Sequence, residues 1–460
     1  MYASGYGVRF PHCFRSLHQT WAAMHRLRRI TPLRFRVGYA VKTIRKSIII
    51  FIAAAITGSL LLAVGCADTE TETGETSAPA SAVSEQTAPA TGQETAGFTA
   101  FDAVREMGAG WNLGNALDCI DNKKKGVLAE LGGISPEEYY ETYWGNPLTT
   151  AAMINAVADA GFGAVRVPVT YADHMDGNFL IRPEWLDRVE QVVNYVLDND
   201  MYCVINMHHD TGSGSWPWLR ADPENIKQLE DELRTVWLQI AGRFADYGDR
   251  LIFEGFSEIL DTQSRWNGSD TAAYGAVNRL NQVFVDTVRG AGGCNADRFL
   301  IVSTYAAGID QDMLDAFVLP DDSAENRLIA GVHYYGTIPF AWRQEQVSWT
   351  DTYPDWDPQR DGAPVEETMK RLNSRFVENG IPVIIGEFGA KNKNNTEDRV
   401  SFAKHYTETA KKYGIACFWW DDGGKYEKPE LVDNYAIFDR TRTQWYFPQV
   451  AAALVTAAAG

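Results

Sequence analysis

Cysteine is scarce in this chain, and its spacing excludes the usual roles. The six residues (Cys13, Cys66, Cys119, Cys203, Cys294 and Cys417) are too scattered for a paired zinc-type motif, and no disulfide can be read from them. Cys203 and Cys417 fall inside apolar runs, where a small buried hydrophobe is the expected role. Acidic residues are missing from positions 1–65, which hold 10 of the 42 Lys and Arg. Beyond that point positive charge is the deficit, with 32 basic residues against 60 acidic ones and a net charge of −28. A surface this acidic repels phosphate backbones, so nucleic acid is not an expected partner. A neutral substrate is indifferent to it. A glycine-rich phosphate loop is also lacking after the first strand-like run, which weighs against an open doubly wound nucleotide-binding sheet.

What is present begins with a basic start running into KSIIIFIAAAITGSLLLAVGCAD, residues 46–68. A positive region, an apolar run and then small residues read as an export signal. The ending LLAVGC is similar to a bacterial lipoprotein signal, with Ala63 where leucine is usual. Cys66 is therefore the expected lipidation site, with a retained membrane helix or simple cleavage as alternatives. All three place the remainder outside the cytoplasm, and the first two hold it at the cell surface, through Cys66 or through a membrane segment within residues 1–66. Residues 67–97 carry six acids, no base and one valine as the only large apolar side chain. Such a segment cannot bury enough surface to offset its chain entropy and is expected to be a flexible linker. Membrane contact is expected only through the N-terminal anchor, and the protein is expected to be a monomer.

From residue 98 to 460, eight strand-like runs alternate with amphipathic helical patterns. The runs are 108–118, 163–171, 201–210, 251–260, 298–307, 327–336, 381–390 and 416–424. Nearly apolar strands separated by such helices indicate a parallel sheet covered on its faces. Eight units predict a (β/α)8 TIM barrel forming a single catalytic domain. Polar residues collect at the C-terminal ends of most runs: His208-His209-Asp210, Ser257-Glu258, His333-Tyr334-Tyr335 and Glu387. That rim is where barrel enzymes place their chemistry. The run FEGFSEIL holds two carboxylates, which are rarely buried without partners or a task. Alternation puts both on one face, with Glu254 a layer deeper as a structural acid and Glu258 at the rim.

Two rim carboxylates, Glu258 and Glu387, suit hydrolysis of a glycosidic bond, which needs a proton donor on one side of the sugar and a second carboxylate on the other. Seven motifs follow in order, GWNLGNALD, VRVPVTY, INMHHD, FEGFSE, HYYG, IIGEFG and FWWDDG. With them the chain resembles glycoside hydrolase family 5, the cellulase family A. The resemblance spans 98–460 and implies a retaining double displacement, with Glu387 as nucleophile and Glu258 as acid/base. It also implies that Arg166 keeps Glu387 ionised, that Tyr335 orients it, and that His208 and His333 bind sugar hydroxyls and tune the pair. Asn112, His209 and Trp420 are expected to bind substrate, Trp420 as a sugar platform and Trp419 as core. Trp216 and Trp218 are expected either to stack on sugars or to pack within their loop. Serine at position 257 departs from the family, which has asparagine there to bind the 2-hydroxyl of the sugar being cleaved. A shorter hydroxyl could need a bridging water, which puts the rate in question. No cofactor or metal is expected, since adjacent strand residues such as His208 and His209 point to opposite faces.

The wording of the first and third motifs is most similar to bacterial endo-β-1,4-glucanases, with mixed-linkage glucan as a companion substrate. Mannanase and xyloglucanase are the alternatives within the family. A surface glycan-binding protein without turnover is the alternative outside enzymology, and Ser257 is what keeps it open. The end, FPQVAAALVTAAAG, reads as the closing barrel helix.

Overall fold

Eight parallel strands hydrogen-bond in chain order and close on themselves, the first pairing with the eighth. This computed structural model describes residues 97–121, 133–342, 355–424 and 434–460. The leader, Cys66 and all but the last residue of the expected linker lie outside them. The strands are β1 (Ala109–Leu113), β2 (Ala164–Val167), β3 (Tyr202–Asn206) and β4 (Leu251–Glu254), then β5 (Leu300–Ser303), β6 (Leu328–His333), β7 (Val383–Phe388) and β8 (Ala416–Asp421). All eight predicted runs contain a strand, and each strand is shorter than its run.

Period-two alternation sorts each strand into an inner and an outer face. The inner face supplies an apolar plug: Val204, Ile252, Ile301, Ile329, Ile384 and Phe418 cluster with Ala103, Val104 and Met107 of the helix Ala100–Met107. That helix closes the N-terminal end. Thr99 caps it through a reciprocal box with Asp102. The outer face packs against amphipathic helices such as Pro183–Leu197, Ile226–Arg243, Thr271–Gly290 and Thr396–Lys412, which bury Trp185, Trp237, Phe284 and Phe402. Cys203 and Cys417 are buried free thiols, as expected. No helix among the described residues is long and apolar enough to cross a membrane.

Above the plug the same inward positions turn polar. Register places Asn112 beside Arg166, and Asn206 beside Glu254. The wall of the barrel thus changes from hydrocarbon to hydrogen-bonding groups within one layer, directly beneath the C-terminal rim.

One expectation about the rim needs correction. β4 ends at Glu254, so FEGFSEIL is not a continuous strand and alternation does not fix the direction of Glu258. Gly255 still donates to Ile301, but Phe256 turns into the outer core and the Ser257 amide donates to Met207 of the neighbouring strand's end. Those long-range bonds deliver Glu258 to the rim.

Candidate active site

Arg166 organises the site. It is fully buried on β2 and makes four hydrogen bonds. Its Nε and Nη2 donate to the two oxygens of Glu254 at 2.6 and 3.0 Å, and Nη1 donates to Asn112 Oδ1 at 3.0 Å and Glu387 Oε1 at 2.9 Å. Burial pulls the guanidinium down, but Glu254 and Glu387 outweigh it and hold its pKa above the ordinary arginine value. Glu254 is the buried structural acid expected of it, taking a further hydrogen bond from Asn206 at 3.3 Å.

Asn112 is a correction. It is buried with no exposure, its Oδ1 occupied by Arg166 and its amide directed at the carbonyls of Gly386, Phe418 and Trp419. With every polar atom engaged it positions Arg166 and has nothing to offer a substrate.

Glu387, on β7, accepts from Arg166 on one oxygen and from Tyr335 Oη on the other, at 2.9 Å each. Glu258 is more open, with its side chain 30% exposed against 6% for Glu387. His333, at the end of β6, stands between them, its Nδ1 2.9 Å from Glu258 Oε1 and 3.7 Å from Glu387 Oε1. One oxygen of each glutamate lies within 4.8 Å of the other. Burial pulls the His333 imidazole down, but the charge of Glu387, the hydrogen bond to Glu258 and that residue's charge hold its pKa above the ordinary value. His208 goes the other way: burial, then His209, Arg166 and His333, push its pKa well below the ordinary value and keep it neutral. Its Nδ1 faces the Asn206 amide, which assigns the proton to Nε2, 3.9 Å from Glu387 Oε1.

The aromatic and hydroxyl residues divide. Trp420 lies on the cleft wall with its ring parallel to His208, centroids 5.6 Å apart. Gly114 makes room for it, since a Cβ there would come within 2.6 Å of the indole. Trp419 is buried core, as expected. Trp218 takes the second of its two expected roles: its indole donates to buried Asp210 at 2.7 Å and its ring meets Phe179, so it braces its loop. Trp216 folds back over Gly214 of the same loop. Ser257 is 2% exposed, and its Oγ has no partner among the described residues. His209 Nδ1 lies 2.7 Å from the carbonyl of Asp118, beside the cleft.

The argument against a shared histidine ligand pair also needs correction. His208 and His209 lie beyond the end of β3, so alternation does not separate them, and their rings sit 4.6 Å apart. Two triads, Asp118-His208-His209 and Glu258-His333-Glu387, have donor atoms within 4.8 Å of one another. In the first, both Asp118 oxygens accept backbone amides, from Asn115 and Ala116. In the second, each glutamate is held by protein donors. Sequence reasoning missed Asn206, which ties Glu254 to His208. Its signal was an amide two residues before the histidine, on the inward face of β3.

A barrel whose rim brings two carboxylates this close, one clamped by arginine and tyrosine and one open to solvent, is a glycoside hydrolase. The family model described as Cellulase (glycosyl hydrolase family 5) matches residues 121–425. The chain belongs to that family. It is 40% identical to the Cellulase/esterase CelE of Acetivibrio thermocellus over 366 residues, 78% of this chain and 41% of that protein's length. Among solved structures it is similar to a GH5-4 broad specificity endoglucanase from Ruminococcus champanellensis with bound cellotriose (TM-score 0.69, 37% identity, 78% of this chain and 98% of that one). It is likewise similar to a family 5 lichenase from Caldicellulosiruptor sp. F32 (TM-score 0.71, 37% identity, 78% and 95%).

Proposed function

We propose that this protein is a retaining endo-β-1,4-glucanase acting on cellulose-type and mixed-linkage β-glucans. The observation that carries the reading is the close approach of Glu258 and Glu387, within 4.8 Å. Inverting enzymes keep their carboxyls about 6.5–9.5 Å apart to admit a water, whereas retaining ones hold them at about 5–5.5 Å. The bound cellotriose and the lichenase activity of the similar structures support β-glucan as the substrate class.

In the first half of the reaction, a Glu387 oxygen bonds to the anomeric carbon as the glycosidic C–O bond breaks. The proton of Glu258 passes to the leaving oxygen. Arg166 and Tyr335 hold Glu387 as the carboxylate and aim it, and neutral His208 presents an Nε2–H to a sugar hydroxyl. In the second half, water gives its proton to Glu258 and attacks the same carbon, releasing Glu387. Retention follows from two inversions. Trp420 supplies an apolar wall for the sugar. Located by its leader and linker, the enzyme works outside the cell, tethered through Cys66.

The full chain, with a Glu387→Gln control, is assayed for reducing ends released from carboxymethyl-cellulose, barley β-glucan, xyloglucan and glucomannan. Release from the glucans, abolished in the control and yielding the β-anomer first, is the expected result. Preference for glucomannan or xyloglucan would redirect the substrate assignment. Tight binding of cello-oligosaccharides without release would favour the glycan-binding reading that Ser257 raises.

A further inference from the structure

We infer that the turn Tyr305–Ala307, just beyond β5, is the positioning element for the acid/base Glu258 and fixes it from behind through the backbone. The inference rests on the retaining-hydrolase reading and adds residues that act on the reaction only through Glu258.

The two glutamates of the site are held differently. Glu387 accepts from Arg166 on one oxygen and Tyr335 on the other, whereas the Glu258 carboxylate has one hydrogen-bond partner among the described residues, His333 Nδ1 at 2.9 Å. β4 ends at Glu254, so no regular strand fixes the backbone at Glu258 either. What fixes it is a set of bonds that alternate between its two sides. On the β3 side, Ser257 N donates to Met207 O at 2.8 Å and Ala221 N donates to Leu260 O at 2.9 Å. On the β5 side, Ala306 N donates to Ile259 O at 3.0 Å, Asp261 N donates to Tyr305 Oη at 3.0 Å, and Ser303 Oγ donates to Phe256 O at 3.3 Å. Both chain neighbours of Glu258 are therefore pinned, one from each side. Tyr305 extends the constraint, because its hydroxyl also donates to Arg265 O at 2.6 Å and so ties both ends of the stretch 261–265.

The turn that presents these groups is strained. Ala306 (φ 57°, ψ 15°) and Ala307 (φ 48°) both take the left-handed backbone that costs residues other than glycine. No other consecutive pair of non-glycine residues does so among the described residues. The turn closes on itself, with Ala307 N donating to Thr304 O at 3.1 Å, Gly308 N to Tyr305 O at 2.9 Å and Thr304 Oγ1 to Gly308 O at 2.7 Å. Positive φ at both central residues is the pattern of a type I′ turn, which ordinarily draws glycine or asparagine. Here both positions are buried alanines. Glycine reaches the same shape without strain but reaches many others as well, while alanine leaves one narrow left-handed well. Such strain persists where the surroundings over-determine it, and what it secures here is an N–H aimed at the carbonyl next to the acid/base.

The test measures kcat/KM of the full chain and of Tyr305→Phe on aryl β-cellobiosides whose leaving groups run from 2,4-dinitrophenol, which departs without a proton, to phenol, which needs one. The substitution removes both bonds of the hydroxyl and keeps the ring that meets Tyr274 at 5.2 Å. A displaced acid/base harms only substrates that need its proton. Tyr305→Phe is therefore expected to lose about tenfold on the phenyl glycoside and on barley β-glucan, and less than about twofold on the dinitrophenyl glycoside. Ala306→Gly frees the turn and keeps its N–H, so it should show the same dependence on leaving group with a urea midpoint equal to or above that of wild type. Equal loss across the series in Tyr305→Phe, or no loss anywhere in it, overturns the inference, and a lowered midpoint in Ala306→Gly overturns the argument from strain. If the phenylalanine variant does not fold, the same series on Ala306→Gly decides. A wild type that cleaves neither aryl cellobiosides nor glucan overturns the hydrolase reading and this inference together, whereas an active wild type matched by its variants overturns this inference alone.

Discussion

Glu254→Gln and Glu258→Gln are expected to damage this protein in opposite ways. Glu254 accepts from Arg166 twice, at 2.6 and 3.0 Å, and from Asn206 at 3.3 Å, with 2% of its surface exposed. A glutamine offers one oxygen and turns an amide toward donors that cannot accept it. The lost charge-assisted bond costs about 1.5–3 kcal/mol and the buried unsatisfied amide about 1–3 kcal/mol. A total of roughly 3–5 kcal/mol is a large part of the ~5–15 kcal/mol that holds a typical domain folded. Arg166 keeps its bond to Glu387 and Tyr335 keeps its own, so kcat of the folded fraction should stay within about tenfold. Glu258 is 30% exposed and bonded to His333 alone among the described residues, so its replacement should move stability by less than about 1 kcal/mol. Its removal takes away the acid/base, and kcat should fall by about 10²–10⁴. Urea unfolding followed by tryptophan fluorescence gives the first quantity and turnover of barley β-glucan the second. Wild-type stability in Glu254→Gln, or wild-type turnover in Glu258→Gln, would refute the division of labour.

Three further outcomes are expected. Tyr335→Phe removes the 2.9 Å donor to Glu387 Oε2 and should lower kcat by up to about 10²-fold with little change in fold, read by steady-state kinetics and circular dichroism. Ser257→Asn should raise kcat on β-glucan by about tenfold or more if the short hydroxyl limits the contact to the cleaved sugar, and an unchanged kcat sinks that idea. His174 is fully buried, stacked on Trp185 at 3.5 Å, and neither nitrogen has a partner among the described residues; burial and then Arg182 push its pKa well below the ordinary value. The unfolded chain takes up this proton near pH 6.5 and the folded chain does not, so stability is present above that pH and lost below it, by about 1.4 kcal/mol per pH unit. His174→Phe should flatten that slope between pH 6.5 and 5 in urea titrations, and an unaltered slope would remove His174 as its source.

The barrel and the rim positions of its polar residues were legible because buried parallel strands must be apolar while the ends facing solvent need not be. Legibility failed where the chain leaves the sheet. Alternation predicts side-chain direction only inside a ladder, and β3 and β4 end at Asn206 and Glu254, short of the chemistry. Beyond those points direction is set by remote bonds, His208 N to Val169 O and Ser257 N to Met207 O, each 2.8 Å. Residue type misled separately at Asn112, which suits sugar binding but whose polar atoms are taken by Arg166 and by the carbonyls of Gly386, Phe418 and Trp419 from distant strands.

The sequence also hid how one arginine can serve two carboxylates on different strands. Glu254 and Glu387 both need Arg166, yet β7 in regular register with its neighbours would keep its glutamate to itself. The register between β6 and β7 shifts at Val332/His333, pairing His333 with Glu387, and that between β7 and β8 shifts between Ile385 and Phe388. The irregularity contains Gly386, where a Cβ would come within 3.1 Å of His333 Nε2 and 3.6 Å of Arg166 Nε. The glycine in IIGEF is thus what lets the imidazole and the guanidinium approach the strand that carries Glu387. A β-bulge re-aims a side chain at the cost of local pairing. Here it brings Glu387 to Arg166, whose other side is already neutralised by Glu254. With that second carboxylate in place, Arg166 is held rigidly and shares its charge, so Glu387 is oriented without being locked in an exclusive ion pair. The two glutamates of FEGFSEIL therefore act on Glu387 from opposite directions, Glu254 from below through Arg166 and Glu258 from across the sugar.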